Sequence, residues 1–137
     1  MGDTVRFATD SWVAAILEAI NNSVAYREAA SKWEGDFCFV IEGDSKGSGA
    51  EVVVYLDLWH GVCRVAELVT AESPRTPEFY LRGPRKNWAK VLRKQIDPIK
   101  ALMTHSLRLT GNLAKVLRNV KSAQELVNAA ASVNTEF

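Results

Sequence analysis

Apolar and polar residues change their spacing several times along this chain. From Ser11 onward, Val13, Leu17, Ile20 and Val24 recur at i, i+4, i+7 and i+11, one stripe of a helix that Thr9 or Asp10 can cap. Trp12 and Ile16 widen the stripe, which predicts burial on more than one side. Helical character runs on through Ser23–Trp33, with a break expected at Asn21-Asn22. At Gly35 the period drops to two: Phe37, Phe39 and Ile41 alternate with Asp36, Cys38, Val40 and Glu42, as in a strand. Beyond a loop at 43–49, Glu51–Trp59 is the clearest strand. Val52, Val54, Leu56 and Leu58 face one way; Val53, Tyr55, Asp57 and Trp59 face the other. His60-Gly61 makes a two-residue turn and Val62–Val69 pairs back, which predicts a hairpin over 52–69 with Cys63, Val65, Glu67 and Val69 sharing one face of its second strand.

Pro74 and Pro77 mark a loop, and Glu78–Arg82 reads as a short strand that Pro84 stops. Asn87–Gln95 follows as a helix carrying Trp88, Val91 and Leu92. Asp97 caps the next helix, with Pro98 in its first turn. Leu107 and Leu109 alternate with polar neighbours in a last strand. Asn112 then caps a helix bearing Leu113, Val116, Leu117 and Val120. Ser122-Ala123-Gln124-Glu125 reads as a capping box opening a terminal helix, with fraying expected from Asn134. The pattern predicts an α+β fold: a five-stranded, mostly antiparallel sheet, its first four strands a meander, with helices packed on one face. One domain spans 1–137: an N-terminal helical region over 1–33, the sheet meander over 35–82, and a helix-rich region with the last strand over 85–131.

Apolar residues at 47% and charged residues at 24% are ordinary for a globular domain. No run approaches the roughly 20 apolar residues of a membrane span. No basic stretch precedes an apolar one at the N-terminus, so no signal peptide and a cytoplasmic location are expected. Two cysteines make no disulfide framework. Charge changes the picture more. Residues 75–121 hold twelve Lys/Arg against two acids, and residues 1–74 hold five against twelve, within a total of only +1. A basic face attracts phosphates, anionic lipid or nucleic acid. Nucleic acid is disfavoured because no aromatics are interleaved for base stacking. Apolar residues at helical spacing beside basic ones suit an amphiphile with an anionic head, for which Arg82, Arg85, Lys86 and Lys90 are the candidates. The plainer alternative is a solvated helix face, partly paired with the acidic half.

Catalytic chemistry finds little support. No Gly-x-Ser-x-Gly elbow is present, and Lys46-Gly47-Ser48-Gly49 lacks the spacing of a phosphate-binding loop. Asp57 and Glu67 lie on paired strands without a partner that would set up acid–base work. His60-x-x-Cys63 offers two metal ligands, but nothing places Cys38 or His105 to complete a zinc site. No catalytic residue, metal or cofactor is expected, and the chain does not read as an enzyme.

The phrase Trp88-Ala89-Lys90-Val91-Leu92…Ile96-Asp97-Pro98-Ile99-Lys100-Ala101-Leu102-Met103…Leu107-Arg108-Leu109-Thr110-Gly111-Asn112 resembles the sterol carrier protein 2 family. Val54-Tyr55-Leu56-Asp57-Leu58 before the Gly61 turn fits as well, and the resemblance covers roughly Trp33 to Ala131. It implies a sheet with helices on one face enclosing an apolar tunnel, and a carrier of fatty acids, fatty acyl-CoA, phospholipids or sterols with no chemistry of its own. The chain departs from the eukaryotic pattern in ending Asn134-Thr135-Glu136-Phe137 without a Ser-Lys-Leu signal, and in its helical Trp12–Trp33 region. Trp88, Leu92, Ile99, Leu102, Met103, Leu113, Val116 and Leu117 would be ordinary core; the resemblance makes them candidates for lining a cavity of about 300–1,000 Å³, the usual range for ligand pockets. Transient contact with an anionic membrane surface accompanies that reading. The competing one is a ligand-free interaction module supporting a partner enzyme, or a homodimer, through an outer sheet face of Val53, Tyr55, Trp59 and Val65.

Overall fold

Residues 4–43 and 50–137 are described by a computed structural model. Most of the loop expected at 43–49 lies outside them. The elements run β1 (Val5–Arg6), α1 (Asp10–Asn21), α2 (Val24–Ala29), β2 (Glu34–Glu42), β3 (Val52–Trp59), β4 (Val62–Leu68), β5 (Phe79–Pro84), α3 (Arg85–Leu92), α4 (Pro98–Met103), β6 (Arg108–Thr110), α5 (Leu113–Leu117), α6 (Val120–Ala131) and β7 (Thr135–Glu136). The fold is α+β, with a five-stranded sheet in the order β4-β3-β2-β5-β6. Among the described residues no helix is long and apolar enough to cross a membrane.

The meander holds for β2, β3 and β4 and fails at β5, which pairs with β2 in parallel, Phe37 opposite Phe79 and Ile41 opposite Gly83. The physical reason lies in β2. Phe37, Cys38, Phe39, Val40 and Ile41 are all buried, so both faces and both edges of this strand need cover. A strand buried on both sides reads as a continuous apolar run. Strands β4 and β5 point the same way, so 69–78 must cross back over the sheet. It does so on the face away from the helices: Arg75 bonds Glu67 and lies 4.6 Å over the Tyr55 ring, and Glu78 N donates to Asp36 Oδ1 at 2.7 Å.

Val54, Leu56 and Leu58 are buried against the helices and Val52 packs beside them, as the alternation predicts. The other hairpin strand departs from strict alternation. Asp57 pairs with Val65 but Leu58 with Cys63, a bulge that leaves Arg64 unopposed. It turns Cys63, Ala66 and Leu68 to the core together, whereas period two had put Cys63 with Val65 and Glu67.

Thr9 and Ser23 cap α1 and α2 through their side chains, so the Asn21-Asn22 break is real. The break reorients the chain. Val24 drops out of the α1 stripe to 60% exposure, and Tyr26 takes the buried position instead. Asp97 and Asn112 cap α4 and α5 as expected. Pro84 serves as the N-cap of α3, and Trp88 Nε1 donates to Val40 O at 3.1 Å, fixing that helix to the central strand. The capping-box reading fails at Ser122, because α6 begins at Val120 and carries Ser122 inside. This helix packs against each of α1 to α5. The C-terminus does not fray: β7 pairs in parallel with β1, Phe137 meets Phe7 at 5.0 Å, and Arg93 lies over the Phe137 ring.

Candidate functional site

Between the sheet and the helices lies an apolar cavity. Phe37, Phe39, Leu58, Leu81 and Leu109 form its sheet wall. Tyr26 and Trp33 close the α2 end; Pro98, Ile99 and Leu102 of α4 and Val116 of α5 cover it from outside. Asn119, Ser122, Ala123, Leu126 and Val127 form the α6 side. The cavity volume is ≈ 50 Å³, far below the range expected of a tunnel. Aromatic rings take up much of the interior: Trp33 stacks on Phe37 at 5.9 Å, and Phe37 on Phe79 at 4.9 Å.

The polar groups of this wall stand out against it. Asn119 Nδ2 donates to Lys115 O at 2.8 Å, and Ser122 is buried. Tyr26 is fully buried and its hydroxyl has no hydrogen-bond partner among the described residues. Burial pushes the Tyr26 phenol well above its ordinary value, with a smaller contribution from the Cys63 thiol. Trp12 Nε1 also has no partner among the described residues, but it lies outside the cavity, edge-on to Phe7 at 4.9 Å.

Of the eight apolar candidates, Ile99, Leu102 and Val116 meet at this cavity. Trp88 and Leu92 are buried in the core away from its lining. Met103, Leu113 and Leu117 point out, exposed at 64%, 42% and 39%. The four basic candidates do not come together on it. Arg82 sits 3.6 Å from both Glu42 and Glu51, and the Arg85 guanidinium lies 5.3 Å over the Phe7 ring. Lys86 and Lys90 are exposed on α3. Much of the remaining basic block pairs with acids, as in Arg108–Glu42, Lys115–Glu78 and Lys121–Glu125.

The outer sheet face is covered more than its sequence suggests. Tyr55 is buried beneath Arg75 and donates to Asp36 Oδ2 at 2.8 Å. Burial, then Asp36, pushes its phenol to about 12. Val53 and Val65 are half-buried, and Arg64 lies 4.8 Å over Trp59. A polar depression of ≈ 460 Å³ on this side brings Asp36, Asp57 and Glu78 near one another. Each is already engaged, Asp57 by Arg64 at 3.0 Å and Glu78 by Lys115 at 2.9 Å. Burial first, then Asp57, raises the Cys63 thiol to about 12, and burial, then Asp36, raises Cys38 to about 11; both are poor nucleophiles. Among the described residues no cluster of His, Cys, Asp and Glu could hold a metal ion.

Sequence reasoning missed Tyr26, Asn119 and Ser122. The signal at Tyr26 is weak, since α2 offers only the Tyr26/Ala30 spacing. Ser122 looked like a cap because it precedes Glu125 by three residues. The usable clue was that Ser122, Ala123 and Leu126 fall on one face of a helix, which α6 carries from Val120.

Several solved structures have the same architecture. A crystal structure of sterol carrier protein 2 superposes with a TM-score of 0.85 at 37% identity, covering 93% of this chain and 99% of the other. The solution structure of a conserved hypothetical protein of Thermus thermophilus, described as possibly a sterol carrier protein, gives 0.83 at 36%, covering 98% and 94%. The apo form of sterol carrier protein 2 from Yarrowia lipolytica shares the fold at 14% identity and a TM-score of 0.58, over 88% and 89%. No curated protein matches the chain. The family model that matches residues 13–124 describes the SCP-2 sterol transfer family, spanning both the sheet and the helical cover of the cavity, and the chain belongs to that family.

Proposed function

We propose that this protein is a non-enzymatic lipid carrier, holding the apolar part of a fatty acid, fatty acyl-CoA, phospholipid or sterol between its sheet and helices. The supporting observation is the apolar cavity and its cover. Its outer wall is made by α4 and α5, six and five residues long. At ≈ 50 Å³ the cavity is a seed, and a lipid chain enters by parting these two helices from the sheet.

Besides the buried Val116, a clasp holds helix α5: Lys115 Nζ donates to Glu34 O at 2.6 Å and to Glu78 Oε2 at 2.9 Å while lying over Trp33 and Phe79. The exposed Met103, Leu113 and Leu117 belong to the same two helices and give them an apolar outer edge for a bilayer. Lys86 and Lys90 supply attraction to anionic headgroups during the encounter. The energetics suit exchange. Ten buried methylenes gain roughly 8 kcal/mol at about 0.8 each, near micromolar affinity before ordering costs. A bilayer offers a similar gain, so transfer either way is close to balanced.

The test is native mass spectrometry of the protein as purified, with titration of a fluorescent fatty acid into the delipidated protein. A co-purifying lipid or micromolar uptake is expected, and Ala123→Phe, which fills the cavity from α6, should abolish uptake while the protein stays folded. No bound lipid and no uptake would remove the carrier reading.

A further inference from the structure

The parallel pair formed by β1 and β7 leaves one strand edge unspent. Val5 N donates to Asn134 O at 3.0 Å and Phe7 N to Glu136 O at 2.9 Å, with Val5 opposite Thr135 and Arg6 opposite Glu136. In a parallel ladder, alternate residues turn both backbone groups toward the same neighbour. Glu136 therefore spends its groups on β1. Thr135 N–H, Thr135 C=O and Phe137 N–H point the other way, with no partner among the described residues. They open on a groove of ≈ 430 Å³, which Thr135 and Phe137 line and Glu136 does not. This groove shares no lining residue with the apolar cavity.

The groove's other wall is the end of α3, and it is basic. Lys94 turns the chain there at φ 62, and Arg93 and Lys94 both line the groove. The Arg93 guanidinium lies 4.8 Å over the Phe137 ring, a contact that uses its face and leaves its N–H edge for a carboxylate. Neither cation forms an ion pair among the described residues. Glu125 feels the Lys94 charge, but Asn128 bonds it at 2.9 Å and Lys121 at 3.2 Å. Carbonyls at the two adjoining helix ends are also taken. Lys94 N bonds Val91 O, Gln95 N bonds Lys90 O, Ser132 Oγ bonds Ala129 O and Val133 N bonds Ala130 O. What remains unspent in the groove is mostly donors and positive charge, beside the apolar Leu92, Ala131 and Val133.

A free strand edge takes an extended chain, and unpaired cations take acids. We infer that this groove binds an extended acidic peptide segment of a partner protein, which pairs with β7 as a third strand and sets its carboxylates against Arg93 and Lys94. A second copy of this chain entering by its own β7 would bring another Arg93 and Lys94 to the same place, so charge disfavours it. The contact is small, and its Kd is on the order of 10–100 μM. It depends on nothing in the carrier reading.

The test follows the anisotropy of dye-labelled heptapeptides as the protein is added. The probe alternates glutamate and valine. One control alternates lysine and valine; another is the probe N-methylated throughout, which removes its backbone donors and keeps its charges. The probe should bind about tenfold more tightly than either control, and should weaken about tenfold between about 50 and about 300 mM salt. Arg93→Gln with Lys94→Asn removes both charges and keeps a residue that tolerates the left-handed turn; it should cost the probe about tenfold and most of its salt dependence. A second readout uses wild type alone. In ¹⁵N spectra the Thr135 and Phe137 amides should move with the probe and gain protection from exchange, while the Val5 and Phe7 amides, already bonded, should gain none. If the probe and its N-methylated form bind alike, the third strand is wrong. Binding that ignores salt and the double variant overturns the acidic partner. Thr135 and Phe137 amides that shift with protein concentration alone make a second copy the occupant and overturn the partner protein. If no peptide binds, the proposal falls, and lipid uptake by the separate cavity is untouched by that result.

Discussion

Replacing Gly61 by Ala tests how α2, and with it one end of the cavity, is held. Gly61 has φ +82 and follows His60 at φ 52, the pair of left-handed conformations a tight hairpin turn requires. Alanine in that conformation costs about 1 kcal/mol or a little more. Its methyl would sit 2.7 Å from Arg27 O and 2.9 Å from Arg27 Cα, both backbone atoms, so the turn or α2 must shift. Overpacking of this kind costs roughly 1–3 kcal/mol. The expected loss is therefore about 2–4 kcal/mol, a large share of the roughly 5–15 kcal/mol of a typical domain. Gly35→Ala is the matched control. Its Cβ would meet Glu78 Oε1 at 2.9 Å and Lys115 Nζ at 3.4 Å, flexible side-chain ends, and Trp33 Cζ2 at 3.3 Å, a ring that must give by only a few tenths of an ångström, and it needs no left-handed φ. Urea unfolding followed by tryptophan fluorescence should rank Gly61→Ala far below Gly35→Ala, which should lose less than about 1 kcal/mol. Since Arg27 adjoins Tyr26, the first variant should also weaken lipid uptake. Equal stabilities for the two variants would refute the argument that the turn presses on α2.

Tyr26→Phe in the delipidated protein should be about 1 kcal/mol more stable than wild type, since it removes a buried hydroxyl with no partner among the described residues; a loss in urea unfolding would contradict this. Lys115→Met should speed uptake of a fluorescent lipid in stopped flow several-fold by freeing α5, with a stability loss of about 1 kcal/mol or less because the pair is part-exposed. Cys63 binds its proton more tightly folded, at about 12, than at its ordinary 9.0. Its contribution is thus complete below pH 9 and lost as pH rises toward 12. Cys63→Ala should flatten the fall in stability over that window, measured by urea unfolding at each pH. Lys86→Glu with Lys90→Glu should slow lipid transfer from anionic vesicles, most at low salt, and leave transfer from neutral vesicles unchanged.

The local grammar of the chain was legible because it depends on near neighbours. The Thr9, Asp97 and Asn112 caps and the inward face of β3 all follow from spacings of a few residues. What escaped was set at a distance. The place of β5 beside β2 depends on residues forty-two apart, and its only local trace was the unbroken apolar run from Phe37 to Ile41. One bulge at Arg64 shifted every later residue of β4 relative to its expected face. At the site, Ile99, Leu102 and Val116 carried a helical stripe that does lead to the cavity. Met103, Leu113 and Leu117 share that stripe in sequence, but α4 and α5 are too short to be covered on all sides. Tyr26 could not be found by hydropathy, because Val24 was the stronger apolar signal and the α2 break turned it outward.

The 69–78 crossover divides the sheet into parts of unequal kinetic standing. Strands β3 and β4 meet through the two-residue His60-Gly61 turn, and such a closed hairpin forms early. Joining β5 to β2 closes a far longer loop, whose entropy is recovered only once the Arg75 staple to Glu67 and Tyr55 is in place. Strand β6 hangs on β5 alone, and α4 and α5 adjoin it. Amide protons of β5 and β6 should accordingly exchange ahead of those in β2 to β4, through sub-global opening rather than full unfolding. The roof of the cavity adjoins that outer half, so on the carrier reading the release of a lipid and the first step of unfolding would follow one route.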